Sequence, residues 1–238
     1  MKLFLPILVL VPLVAAEQHY RNEPDPATMT TYYFGLLRRG AASTGEQTPE
    51  TERLQKAHLA NITRLAESGK LVAAGPLTDG GELRGIFIFQ VASLEEAKTL
   101  SDTDPAVAAG RLAIEIHPWY APKGIGSKYA AWRKDNPQAQ VKMVTYQLGL
   151  LRRGPKWSAE SARALMEDHL AHIARLAASG KLPAAGPFTD GGELRGVCVF
   201  RSGSLDEAKR LADEDPAVRA GQHAVELHPW FAAEGAMP

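Results

Sequence analysis

HLANITRLAESGKLVAAGPLTDGGELRGIFIF, residues 58–89, returns as HLAHIARLAASGKLPAAGPFTDGGELRGVCVF at residues 169–200, an offset of 111. A repeat governs every later inference, so its extent matters first. Downstream the match runs through SLEEAK and SLDEAK, through DPAVAAG and DPAVRAG, and ends in IEIHPWY and VELHPWF. Upstream, TTYYFGLLRRG from Thr30 matches VTYQLGLLRRG from Val144 at an offset of 114, so the first copy carries three extra residues between Gly40 and His58. From His58 to Trp119 about two-thirds of the positions are identical in the second copy. Units of this length are small domains rather than solenoid repeats. The expected division is a domain at 29–120, a linker at 121–141 rich in Pro, Gly, Lys and Gln, and a second domain at 142–231.

Within a copy the periodicity changes in a definite order. Thr30 to Leu37 is rich in β-branched and aromatic residues and reads as a strand. Thr48-Pro49 supplies an N-cap and a first-turn proline, after which Leu54, His58, Ile62 and Leu65 recur at helical spacing up to Gly69. Leu71 to Leu77 is short and apolar, Asp79-Gly80-Gly81 is a turn, and Leu83 to Val91 is another strand. Ser93 followed by Glu96 is a capping box, and Leu112 to Trp119 alternates as a closing strand. The order strand, helix, strand, strand, helix, strand is the α+β, ferredoxin-like sandwich, with helices on one face of an antiparallel sheet. The bare sheet face needs cover, and the second copy provides it. Two sheets meeting face to face as an intrachain pseudo-dimer are expected; a homo-oligomer is allowed but not required.

Composition narrows the function. Of 238 residues 45% are hydrophobic and 23% charged, with 27 basic and 27 acidic side chains and a net charge of zero. Such a chain has no field to gather phosphates, and nucleic acid is not an expected partner. One cysteine, Cys198, forms no internal disulfide and excludes a thiolate metal site. Residues 1–16, MKLFLPILVLVPLVAA, read as a cleaved secretory signal, too short and too proline-interrupted for a membrane span. The expected product is exported to a periplasm or the extracellular space, with no membrane partner after cleavage. There is no G-x-S-x-G, Walker loop, H-E-x-x-H or dinucleotide fingerprint, so no cofactor and no metal is expected.

Candidate site residues come from both copies. His58 and His169 lie on the core-facing stripe of each first helix. A polar group there is either a satisfied core histidine or an acid–base group, and spacing leaves both open. Asp104 and Asp215 open Asp-Pro-Ala-Val motifs that an N-cap role describes fully, and Asp79 and Asp190 suit turn positions before Gly-Gly. Arg38 and Arg152 end the first strands, while Arg84 and Arg195 start the third; each is a candidate to hold a substrate carboxylate or to pair on the surface. His117 and His228 read as strand-end surface and Trp119 and Trp230 as packing. Cys198 stands where the first copy has Phe87, and His172 where it has Asn61, so a role for either belongs to one half only.

The helix-borne histidine of HLANITRLAESGKL, the Ala-Gly-Pro of AAGPLTDGG, the Ser-Leu-Glu-Glu-Ala helix start, Asp-Pro-Ala-Val-Ala-Ala-Gly and the final His-Pro-Trp together resemble the YCII (YciI-like) domain family over nearly all of both copies. The resemblance implies a ferredoxin-like fold paired as a dimeric α+β barrel, with tandem copies in the family's repertoire. It also implies an active-site pair of His and Asp, here His58 with Asp104 and His169 with Asp215. One related branch removes chloride from a chlorinated hydroxyquinol. The expectation is a cofactor-independent lyase or isomerase acting on a small aromatic, quinol or lactone-like molecule. The rival is a non-catalytic module that binds a small molecule in the same pockets, and a third reading has both pockets filled.

Overall fold

A computed structural model describes residues 20–238; the expected signal at 1–16 lies outside the described residues. The first half runs β1 (Met29–Arg39), α1 (Pro49–Glu67), β2 (Leu71–Pro76), β3 (Leu83–Phe89), α2 (Leu94–Asp102), α3 (Pro105–Ala108) and β4 (Leu112–Pro122). After α4 (Ser127–Asp135) the second half repeats the order: β5 (Met143–Arg153), α5 (Ala159–Ala164), α6 (Met166–Ala178), β6 (Ala184–Pro187), β7 (Leu194–Phe200), α7 (Leu205–Asp213), α8 (Pro216–Arg219) and β8 (His223–Ala233). The two sheets have orders β2-β3-β1-β4 and β6-β7-β5-β8. All their pairings are antiparallel. This is the expected pair of ferredoxin-like halves.

Local chemistry sets the helix starts. Thr48 accepts from the Thr51 N–H while the Thr51 hydroxyl accepts from the Thr48 N–H, a reciprocal cap with Pro49 in the first turn. Ser93 and Ser204 cap α2 and α7 by accepting from Glu96 and Glu207 N–H, but the expected reciprocal box does not close: the two glutamates accept from Ala92 and Gly203 N–H, one residue before the cap. The second copy's first helix is divided at Leu165 into α5 and α6, where the first copy has one continuous α1. No Gly or Pro accounts for that division.

The sheets pack face to face, as strand alternation requires. Tyr32, Phe34, Leu36 and Trp119 of one half meet Tyr146, Leu148, Leu150 and Trp230 of the other in one core. The opposite face of each sheet holds its helices, through Leu37, Leu65, Phe87 and Phe89 in the first half and Leu151, Leu176, Cys198 and Phe200 in the second. Edge strands close two seams: Thr78 N–H donates to Pro229 O and Thr189 N–H to Pro118 O. A Cβ on Gly75 would lie 2.1 Å from Phe231 O, and one on Gly186 1.8 Å from Tyr120 O. Only glycine permits that approach. The segment 121–141 joins the halves as a built element: Ile125 enters the shared core, and Gly126 N–H donates to the carbonyl of buried Ala236.

Candidate active site

Each half forms one pair between its first helix and the short helix after the second. His58 Nδ1 lies 2.7 Å from Asp104 Oδ2, and His169 Nδ1 lies 2.6 Å from Asp215 Oδ2. The same aspartates cap α3 and α8, accepting through Oδ1 from Ala106 and Ala217 N–H at 2.9 and 2.8 Å. One carboxylate thus ends a helix with one oxygen and aims an imidazole with the other. The N-cap reading therefore holds, and it does not exhaust the residue, because the second oxygen is engaged by the histidine.

Asp104 is fully buried, so its charge needs partners. Burial alone would raise its carboxyl, but the hydrogen bond and charge of His58, the Ala106 N–H and Asn61 outweigh it and hold the group below the ordinary carboxylate value. Asp215 is held down against its burial in the same way by His169, Ala217 and His172. An ionised Asp accepts a hydrogen bond from Nδ1–H, so in the neutral imidazole the lone pair is on Nε2. Each of these histidine side chains keeps 11% of its surface exposed.

Beyond the pairs the halves diverge. In the first, Phe87 lies parallel to His58, with ring centroids 5.9 Å apart. In the second, Cys198 takes that place. A small recess is lined there by residues including Leu151, Ile173, Phe200, Cys198, His172 and Asp215. Burial and the nearby Asp215 push the Cys198 thiol up to about 12, so it serves as a small apolar wall rather than a thiolate. His172 accepts from Arg175 through Nδ1 at 2.8 Å and donates from Nε2 to Leu211 O at 3.0 Å. Both bonds require a neutral ring, and burial with the Arg175 charge lowers its pKa against the pull of Asp215. It is an oriented neighbour of Asp215, as Asn61 is of Asp104.

The structure corrects the reading of His117 and His228 as strand-end surface. They are 9% and 8% exposed and reach across the seams, His117 Nδ1 to Asp190 Oδ2 at 2.6 Å and His228 Nδ1 to Asp79 Oδ2 at 2.5 Å. Asp79 and Asp190 therefore do more than shape turns: each ties its own half to the other. Burial of Asp79 is outweighed by His228 and the Gly81 N–H, which hold the carboxyl low. Arg38 and Arg152 sit 3.0 Å from Glu115 and Glu226, the acidic neighbours of those seam histidines on β4 and β8. Arg84 is exposed and donates to Gly81 O at 3.2 Å. Of the candidate arginines, Arg195 alone is placed near a helix-borne pair, through its charge on His223 beside His169.

His223 is the residue that sequence reasoning missed. Its ring stands edge-on to His169 with centroids 5.4 Å apart, and burial, His169 and Arg195 push its pKa down against the pull of Asp215. The available signal was a difference between the copies: Leu112 occupies the position in the first half. Among the described residues no group of three or more His, Cys, Asp or Glu is placed to hold a metal ion.

Solved structures share this architecture. A variant of chlorite dismutase from Candidatus Nitrospira defluvii superposes with a TM-score of 0.55 at 10% identity, covering 87% of this chain and 92% of that one. A chlorite dismutase-like protein gives 0.55 at 10% identity, covering 87% and 97%. Likeness at that identity shows the dimeric α+β barrel fold alone. No curated protein matches the chain in sequence. The YCII-related domain matches twice, over residues 36–120 and 127–231, and the helix-borne His–Asp pairs recur in both matches: the chain belongs to the YCII-related family and carries its domain in tandem.

Proposed function

We propose that this protein is an exported, cofactor-independent enzyme of the lyase or isomerase kind, in which a His–Asp pair moves a proton on a small aromatic, quinol or lactone-like molecule. The observation that carries the reading is the double use of Asp104 and Asp215, each fixed by a helix N-terminus and each holding an imidazole by Nδ1. This arrangement orients Nε2 and stabilises the imidazolium that forms when it takes a proton. The acidity it addresses is that of a carbon beside a carbonyl, or of a phenol.

The test is proton exchange in D₂O, followed by NMR, with a panel of phenols, quinones, lactones and small keto acids. Exchange or turnover that disappears in the His58→Gln/His169→Gln double variant, with thermal unfolding unchanged, supports the proposal. Activity that survives in the folded double variant ends it. The recess in the second half, apolar along most of its wall, also suits a non-catalytic binding module. A ligand that binds stoichiometrically and is recovered without exchange favours that second reading.

A further inference from the structure

We infer that the second half alone carries a docking point for the anionic oxygen of a small, largely apolar acid, formed by Arg153 and His223 beside the His169–Asp215 pair. The inference rests on that pair being the reacting centre and names the kind of molecule it receives. Arg153 on β5 and His223 on β8 are direct cross-strand partners. The Arg153 Nε and the His223 Nδ1 are both buried, and neither has a hydrogen-bond partner among the described residues. Unpartnered buried nitrogens on facing strand positions are costly in a folded protein; Arg153 Nε can only donate, and His223 Nδ1 donates when it carries the ring proton, so one acceptor group would satisfy both.

The surroundings fit an acid rather than a neutral polar group. The Arg153 guanidinium is braced, its centre 4.4 Å from the Trp157 ring centroid and Nη1 3.3 Å from the exposed Glu193. Glu193 engages the outer nitrogen and leaves Nε inward. Gln222, next to His223, pins the loop that carries Trp157 by accepting from Ser158 N–H and donating to Lys156 O. Arg195 adds a second positive charge near His223. One step along the same strand faces are Leu151 and Val225, also cross-strand partners, and both line the apolar recess. An anionic head on Arg153 and His223 thus continues into apolar wall, with the edge of His169 alongside.

The first half keeps the arginine and its glutamate, Arg39 and Glu82, but arranges them differently and lacks the histidine. Leu112 stands across from Arg39 where the second half has His223, Arg39 Nε is 3.7 Å from Glu82, and Phe87 occupies the place of Cys198. The duplication therefore produced one site that receives an acid and one that is closed.

Calorimetric titration of the whole protein with benzoate, and with benzamide as its uncharged counterpart, tests this. The expected result is one benzoate per chain, bound at least tenfold more tightly than benzamide. Arg153→Gln and His223→Leu should each weaken benzoate at least tenfold, while Arg39→Gln has no effect. His223→Leu installs the residue the first half already accommodates, and Arg153→Gln carries the test if that variant does not fold. Two equal sites, benzoate no tighter than benzamide, or full affinity in the folded Arg153→Gln protein would overturn the inference. Failure of the catalytic reading looks different: benzoate binds as described, yet no panel compound exchanges protons and His169→Gln changes nothing but the ring contact.

Discussion

Asp104 and Asp215 do two jobs through two oxygens, and that fixes what their loss should do. Asp215→Asn keeps the cap acceptor but leaves Nδ1 of His169 free to be the unprotonated nitrogen, turning the lone pair away from the ligand. Under the proposed mechanism its contribution to turnover should fall by about a hundredfold or more, the range for a misoriented general base, with little change in helix content. The carboxyls also make stability depend on acid. Because their folded pKa values lie below the ordinary 3.8, the folded state releases these protons more readily than the unfolded chain. Their stabilisation is complete above that value and is lost as pH falls through the depressed one, so Asp104→Asn and Asp215→Asn should each flatten the acid limb of a denaturation curve. An unchanged acid limb in both variants would contradict the geometry of the pairs.

Among the elements, the seam strands and the helix-facing wall of the sheet carry separate expectations. Gly186→Ala drives a methyl into Tyr120 O across the seam, and the approach is backbone to backbone, so no side chain can yield. A loss of about 2 kcal/mol or more in chemical denaturation is expected, at the upper end for overpacking. Phe87→Cys, which gives the first half the second half's residue, should cost about 3 kcal/mol from lost burial and the cavity left beneath His58. These elements show how far the sequence could be read. Caps at Thr48, Ser93 and Asp104 were legible because a cap is a local hydrogen bond between residues two or three apart. The pairing of His58 with Asp104 spans 46 residues and came from a family resemblance rather than from spacing. The seam pairs were not legible, since His228 and Asp79 are 149 residues apart and meet only once two sheets have closed on each other. Arg153 and His223 needed the β5–β8 register, which no single strand's pattern reveals.

For the molecule as a whole, duplication has yielded two halves with the same frame and different interiors. His172 and His223 belong to the second half only, and burial lowers both below the ordinary 6.5. The unfolded chain binds protons on them first as pH falls, so stability should decline from about pH 6.5 downward, before the carboxyls titrate. The His172→Asn/His223→Leu variant, carrying the first half's residues, should lose that decline between pH 6.5 and the carboxylate range while keeping the acid limb. A wild-type curve flat across that interval would contradict the buried, neutral placement of both rings. The central claim is that an ionised aspartate in each half fixes an imidazole with its proton on Nδ1 and its lone pair on Nε2. The most direct measurement is a long-range ¹⁵N–¹H correlation spectrum of the protein labelled with ¹⁵N-histidine, recorded where the rings are neutral and assigned with His58→Gln and His169→Gln. The account predicts the shift of an unprotonated nitrogen at Nε2 of both residues; a protonated Nε2 with an unprotonated Nδ1 would contradict it, because the nitrogen facing the ligand would then have no pair to accept a proton.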